Sequence, residues 1–466
     1  MLNPYQAGYL REVNPWWRGA SDPAASAWVD REETAWVVSS VGQAVRLLYL
    51  TGARRIGKST VLRQAAPELA SRYATLYASA EDLLAYDRTV ALVEEVLAFL
   101  ESEVLLEPLA NRPVVLLLDE VHHLEGWQQQ VKRFQDARPN IHFVLTSSQS
   151  PRAQRGKESL AGRVLRRELL PFSFTEYLRL TGAPFPEALC EAPRCLAHYL
   201  DDRSVASLQS GVTDCYRQLS PHWNELNAHF AAYLRRGGFP EWIRQTGAAV
   251  AREYFRDALV AKVVNEDIPA GFGVTDRPLL QRLFYAALAH SGNEINMSNV
   301  ASTLGANRVT VNNYFHYLAE THLIHFVPRH AASLSGRARS FSKVFAADSG
   351  LFWAFESLAR HSASELHGPA AEIAVHTALK RLCGSAVPIA YCRDQSKREA
   401  DFLLELGGGQ HLPVEVKASS RVPGGTDRLL AQLAQELGSP FALAVSSDDF
   451  CADRPVLHLP LLMVCA

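Results

Sequence analysis

"TGARRIGKST", residues 51–60, decides how the N-terminal part of the chain is read. Four residues separate Gly52 from Gly57, and Lys58 and Ser59 follow at once, so the run satisfies G-x-x-x-x-G-K-[ST]. It stands between an apolar run, "RLLYLTG", and an amphipathic stretch, "TVLRQAAPELASRY". Strand, glycine-rich turn and helix is the setting in which this spacing has mechanical meaning. The glycines let the backbone curl until its N–H groups converge, and the helix N-terminus adds positive dipole. A loop of that kind cradles phosphate. Its lining would be Gly52, Ala53, Arg54, Arg55, Ile56, Gly57, Lys58, Ser59 and Thr60. Lys58 would reach the β- and γ-phosphates of ATP, and Ser59 would ligate Mg2+.

Working outward, "ATLYAS", "PVVLLLDE" and "IHFVLTSS" read with "RLLYLTG" as buried parallel strands, each ending in small or polar residues. Helical stretches between them imply βαβ crossovers and a doubly wound α/β sheet. "VVLLLDE" puts Asp119 and Glu120 at the C-terminal tip of an apolar strand, where ligands bind in such sheets. Asp119 would hold the magnesium ion and Glu120 would polarise the attacking water. The next strand ends in Thr146, Ser147 and Ser148; Ser148 is the candidate γ-phosphate sensor, with a plain polar turn as the alternative.

Bulk properties narrow the setting. The chain has 466 residues, enough for two to four domains with their own cores. Hydrophobic content of 48% and charged content of 21% describe an ordinary globular chain. A net charge of −2 supplies no global basic field, so any nucleic-acid contact must use a local patch. The 7 cysteines lack a CxxC pair and fit reduced thiols in a cytoplasmic protein. Apolar runs such as "VVLLL" fall far short of the roughly 18 residues a membrane helix needs, so no membrane partner is expected.

The order of P-loop, "LLLDE", a Ser/Thr-rich strand end and "LAGRVLRRELLPFSFTEYL" resembles prokaryotic AAA+ ATPases whose ATPase domain precedes a nuclease-like C-terminal region. "NPWW", "GGFPE", "VFAADSGL" and "HGPAAEIAVHTAL" are similar to landmarks of that family, so the resemblance covers almost the whole chain. Ser147 departs from it, since glycine is more usual there. The resemblance implies a homo-oligomer in which an arginine from a neighbouring subunit completes the ATP site, with Arg163 as the candidate. Arg152, Arg155, Lys157, Arg166 and Arg167 around it suit a solvated basic face or a DNA-backbone patch equally.

Residues 296–330 have the pattern of a winged helix-turn-helix. Asn296 or Ser298 caps a short helix, Gly305 makes the turn, and a second helix starts near Asn307. Val311, Tyr314, Phe315 and Leu318 recur at helical spacing, leaving Arg308, Thr310, Asn312 and Asn313 outside. Arg308 and the asparagines suit base edges, but the helix carries little positive charge, so base reading, backbone contact and pure packing all stay open.

Further on, "EADFLLELGGGQHLPVEVKA" folds on paper into a hairpin about Gly407-Gly408-Gly409, in which residues whose numbers sum to 816 lie opposite. Asp401 then faces Glu415 and Glu399 faces Lys417, while Ala400, Phe402, Leu404, Leu412, Val414 and Val416 share the apolar face. Opposed carboxylates repel, and a divalent cation between them removes the cost. This resembles the PD-(D/E)XK nuclease fold, with Asp401, Glu415 and Lys417 in the motif positions and Glu372 on the first helix. The resemblance implies Mg2+, or Mn2+, held by Asp401, Glu415 and Glu372, with Lys417 assisting cleavage. A domain that binds nucleic acid or protein without cutting is the competing expectation, as is a nucleotide-dependent signalling switch.

The expected organisation is a leader over 1–40, an AAA+ P-loop ATPase domain over 41–182 and a helical lid region over 183–276. A winged-helix-like domain over 277–347 and an α/β restriction-endonuclease-like domain over 348–466 follow.

Overall fold

In the computed structural model, residues 2–23, 27–43, 45–87, 91–149, 163–245, 253, 255–331, 341–355, 367–393, 399–453 and 455–466 are described. They divide into two compact units, residues 1–169 and 170–466.

In the first unit the four apolar runs become β1 (Leu47–Thr51), β2 (Ala74–Ser79), β3 (Val114–Asp119) and β4 (Ile141–Ser147). Every residue of β1, β2 and β3 is buried, as expected of parallel strands covered on both faces. The sheet is parallel with order β2-β3-β4-β1-β5. Its edge strand β5 (Val164–Glu168) is not among those runs, because "VLRRE" is half exposed and its arginines mask the strand pattern. Burying each leucine or valine of β3 contributes roughly 1.5–3 kcal/mol relative to exposure.

The "NPWW" segment has a definite task at the opposite edge. The Asn14 side-chain amide donates to the Tyr77 carbonyl (2.9 Å) and its oxygen accepts from the Tyr77 N–H (2.7 Å). The Trp16 and Trp17 indoles donate to the Thr75 carbonyl at 3.1 and 2.9 Å. Side chains thus satisfy the outer polar groups of edge strand β2, which would otherwise stand unpaired.

The second unit begins with helices Phe174–Thr181, Ala188–Asp202, Val205–Leu219 and Trp223–Arg236. Helix Arg277–Ala289, strand β6 (Glu294–Ile295), helices Met297–Leu304 and Arg308–Glu320, and strands β7 (Ile324–Pro328) and β8 (Ser342–Ala346) follow. These strands form an antiparallel sheet of order β6-β8-β7. Asn296 and Asn307 cap the two helices and Gly305 turns between them with φ 62°. Val311, Tyr314, Phe315 and Leu318 face inward, while Arg308, Asn312 and Asn313 are exposed.

After helices Ser349–Ala354 and His367–Cys383 come β9 (Ile389–Arg393), β10 (Glu399–Gly407), β11 (Gln410–Val416), helix Gly424–Glu436, β12 (Ala442–Ser446) and β13 (Val456–Pro460). The sheet runs β13-β12-β11-β10-β9, antiparallel across β9, β10 and β11 and parallel across β11, β12 and β13.

"GGFPE" and "AADSGL" meet in this unit. The Asp348 carboxylate accepts from the Gly238 N–H (2.7 Å) and from Gly350 and Leu351 (2.9 and 3.2 Å), capping helix Ser349–Ala354. A Cβ on Gly237 would lie 1.9 Å from Asp348 Oδ1, and one on Gly238 2.5 Å from the Phe172 backbone. The glycines are there because two backbones and a buried carboxylate converge.

Among the described residues, no helix is long and apolar enough to cross a membrane.

Candidate functional site

The loop after β1 leads into helix Lys58–Ala70, with Gly57 at φ 101° as its N-cap. The buried Lys58 ammonium donates to the carbonyls of Gly52 (3.2 Å) and Ala53 (3.1 Å) and lies 3.3 Å from Glu120 Oε1. Gly52 has no room for a side chain, since a Cβ would sit 2.5 Å from the Leu169 carbonyl. Arg54 Nη2 lies 3.3 Å from Glu81 Oε1, and Arg55 takes positive φ (65°).

Asp119 ends β3 and Glu120 follows it, beside this loop. Asp119 is buried, accepts from the Tyr77 hydroxyl (3.0 Å) and the Thr146 hydroxyl, and is hydrogen-bonded to the Ser59 side chain. Burial, then the neighbouring Glu120 charge, pushes its carboxyl up. Glu120 sits in the left-handed region, φ 50°. Burial alone would raise its carboxyl, but Lys58 and His122 outweigh burial and hold it well below the usual carboxylate range. Glu120 is therefore ionised at neutral pH.

Ser148 joins the same cluster, its N–H donating to Glu120 Oε2 (3.1 Å) and its hydroxyl lying 3.3 Å from His122 Nε2. His122 Nδ1 is 3.2 Å from Glu120 Oε2, so this imidazole touches both the acid and the serine. His122 belongs to no motif, and its place two residues after Glu120 is the one local signal it carries. Arg163 lies elsewhere: it precedes β5 at the end of the sheet opposite Glu168, which pairs with Thr51. Five strand residues, about 17 Å, separate those ends. Arg163 is exposed and paired with Asp136. Arg152, Arg155 and Lys157 lie outside the described residues.

The second cluster is in residues 170–466. Hairpin pairs Phe402–Val414, Leu403–Pro413, Leu404–Leu412 and Glu405–His411 all follow the 816 sum. The register shifts only between Glu405 and Gly407, so the turn itself is Gly408-Gly409, with all three glycines at positive φ. Asp401 and Glu415 meet as expected: the Asp401 N–H donates to Glu415 Oε2 (3.3 Å), and Asp401 Oδ2 accepts from the Val416 N–H (3.0 Å). Lys417 forms an ion pair with Glu415.

Glu399 does not turn to Lys417 as the register suggested. Its carboxylate lies 2.7 Å from the Nζ of Lys343, a buried lysine on β8 that also stands 3.1 Å from Asp401 Oδ1. Burial would lower the Lys343 ammonium, but Asp401 and Glu399 raise it well above the usual lysine range. Glu372, on helix His367–Cys383, is pushed up to about 8 by burial and then by Asp401. Glu415 is pushed up to about 7 by the same two causes. Gly292 closes over Glu372, where an added Cβ would lie 2.7 Å from its Oε2. Neither Lys343 nor Gly292 belongs to any local motif; only the fold brings them here.

Residues 45–178 match the family model described as an AAA domain, and residues 227–362 match a domain of unknown function, DUF8612. The uncharacterized protein MJ1637 of Methanocaldococcus jannaschii is 25% identical over 283 residues, 60% of this chain and 56% of its own length. An uncharacterized protein of Haemophilus influenzae is 22% identical over 250 residues, 52% of this chain and 53% of its own. The chain thus spans little more than half the length of these curated relatives. Among solved structures, the Walker-type ATPase PABY2304 of Pyrococcus abyssi is similar at 16% identity and a TM-score of 0.39, over 70% of this chain and 95% of that one. With its parallel five-stranded sheet and phosphate loop, the segment over residues 45–178 has the α/β P-loop fold of the AAA type and matches the AAA domain model there.

Proposed function

We propose that the chain hydrolyses ATP with Mg2+ at the P-loop and couples turnover to nucleic acid, DNA before RNA. The observation that carries this reading is the ion pair between Lys58 and Glu120, 3.3 Å apart. It sets the phosphate ligand and the ionised acid side by side at the edge of one sheet.

Gly52 to Gly57 cradle the phosphates with backbone N–H groups, and Thr60 extends the cradle into the helix. Lys58 leaves Glu120 for the β- and γ-phosphates when ATP enters. Glu120 is then free to accept a hydrogen bond from the attacking water and hold it in line with the γ-phosphorus. Ser148 contacts Glu120 through its N–H and is the γ-phosphate sensor. Ser59 and Asp119 are hydrogen-bonded neighbours whose hard oxygens are the donor chemistry Mg2+ takes. When bound there, the ion neutralises charge on the phosphates. Glu120→Gln should retain nucleotide and lose turnover; turnover at the parental rate removes Glu120 from the mechanism.

Arg163 acts in a homo-oligomer, on the ATP of the neighbouring subunit. Its place at the far end of its own sheet supports action away from its own loop. Arg163→Ala should leave nucleotide affinity intact and depress turnover, and a fully active monomer in light scattering rules the arrangement out.

The expected division at 40, 182, 276 and 347 assigns residues 183–276 to a helical lid region, 277–347 to a winged helix and 348–466 to a restriction-endonuclease-like domain of the PD-(D/E)XK type. The helix pair followed by a small antiparallel sheet supports the winged helix, and the mixed five-stranded sheet with Asp401 beside Glu415 supports the nuclease-like domain. In that reading Asp401, Glu415 and Glu372 hold Mg2+ or Mn2+, and Lys417 exchanges Glu415 for the scissile phosphate. The reduced thiols suit a cytoplasmic setting.

A second reading has its own support. Lys343 already pairs with both Asp401 and Glu399, which offsets part of the acidic charge without a metal ion, as in a domain that binds or scaffolds without cutting. Nucleic-acid cleavage in Mg2+ or Mn2+ with ATP, lost in Asp401→Ala, separates the two.

A further inference from the structure

The hairpin that carries Asp401 and Glu415 bears a different group of side chains near its turn. Glu405 and His411 are cross-strand partners, and His330, just beyond β7, reaches them. His330 Nδ1 lies 3.0 Å from Glu405 Oε1, and the two imidazole rings are 4.7 Å apart at 70°. One donor atom from each of the three residues falls within 4.8 Å of the others.

From this geometry we infer that His330, Glu405 and His411 form a binding site for a late first-row divalent cation, with Zn2+ as its representative. Two imidazole nitrogens and one carboxylate are a donor set that suits zinc, whereas Mg2+ and Ca2+ prefer oxygen throughout. Zinc bonds of about 2.0–2.1 Å place tetrahedral donors about 3.4 Å apart, so modest closure of the three side chains suffices. The three residues are half-buried, and His411 Nδ1 is buried without a hydrogen-bond partner. A buried imidazole nitrogen in that condition is unusual, and a ring that binds a cation gives it a reason.

His330 is well held for the purpose. Its backbone N–H donates to the Tyr391 carbonyl (2.7 Å), and the Arg329 backbone bridges to Tyr391, which fixes the segment beside β9. A cation would therefore tie the chain after β7 to the β10–β11 turn. Three protein ligands leave a fourth position for water. The Leu403–Pro413 pair stands between this cluster and the Asp401–Glu415 pair, and four strand residues correspond to about 13 Å, so the two sites do not share a cation.

The test uses the full chain, stripped with a chelator, desalted, and titrated with Zn2+ against a chromophoric competitor. The expected result is one tight equivalent, weakened at least tenfold in His411→Ala and in His330→Gln, and unchanged in Asp401→Ala. Excess Mg2+ should not displace it. Co2+ should give the intense visible bands of four-coordinate nitrogen ligation, and these should vanish in His411→Ala while circular dichroism stays parental. Zinc retained in both histidine variants places it elsewhere and overturns the inference. So does the absence of a tight equivalent, which would leave His330 and Glu405 as an ordinary ion pair. Zinc lost in Asp401→Ala but not in His411→Ala overturns it too, by assigning the ion to the acidic cluster.

Discussion

Glu120 at the P-loop and Glu372 and Glu415 in the acidic cluster meet the same problem, burial of a carboxylate, with opposite results. At the P-loop, Lys58 and His122 outweigh burial and keep Glu120 ionised. In the cluster, burial and mutual repulsion win at Glu372 and Glu415, although Lys343 and Lys417 stand beside them. The difference lies in which acid the cation meets. Lys58 stands 3.3 Å from Glu120, whereas Lys343 pairs with Glu399 and Asp401, and Glu372 is left to burial and the Asp401 charge. A site kept charged is ready for substrate. In the reading that gives the cluster a metal ion, binding would release the protons it holds.

The largest test of this contrast is at the ionised site. Lys58→Ala should abolish ATP binding, and Glu120→Gln should cut turnover by about 10²–10⁴-fold while nucleotide still binds. Steady-state hydrolysis with fluorescent-nucleotide binding reads both. Equal loss of binding in the two variants would mean that Glu120 supports the loop and does not act on water.

Lys343→Met comes next. Removing the cation between Asp401 and Glu399 leaves buried charge uncompensated and should cost about 3–5 kcal/mol in chemical denaturation at pH 8. Mg2+ or Mn2+ should restore part of that loss if the acids can bind it. No rescue by either ion would favour the binding-module reading.

The protonated acids also predict a pH dependence. Glu372 and Glu415 are held at about 8 and about 7 in the fold, against 4.5 for a free side chain. Between those values the native state carries protons that the unfolded chain has lost, so their stabilising contribution fades as pH rises through 7–8. The limiting slope is ~1.4 kcal/mol per pH unit per proton. Metal-free protein should melt lower at pH 9 than at pH 6, and Glu372→Gln should flatten the trend. A melting temperature that climbs with pH would contradict the raised carboxyls.

The smallest effect is expected at His122, which adjusts Glu120 without replacing it. Loss of its contact should lower turnover by about tenfold, equivalent to about 1.5 kcal/mol for an interaction with a charged group. His122→Ala with parental turnover across pH would assign the pairing to packing alone.

What the sequence determined by itself was whatever repeats at short range. The phosphate loop is eight consecutive residues with fixed spacing, and Asp119 and Glu120 end a run whose every member is apolar. The hairpin register followed from period-two alternation about three glycines, and it held at Glu405–His411 as well as at Phe402–Val414. Strand β5 escaped because an edge strand need bury only part of itself, so its arginines broke the pattern. Lys343 stands 58 residues from Asp401, and His330 lies 75 residues from Glu405. Nothing local marks such residues, because what makes them matter is the charge or ring that another segment presents. "GGFPE" and "AADSGL" were visible only as landmarks, and tertiary structure turned them into one joint about Asp348. Short-range spacing is written into backbone geometry, while long-range pairing exists only after burial has removed water and left each polar group to find its partner.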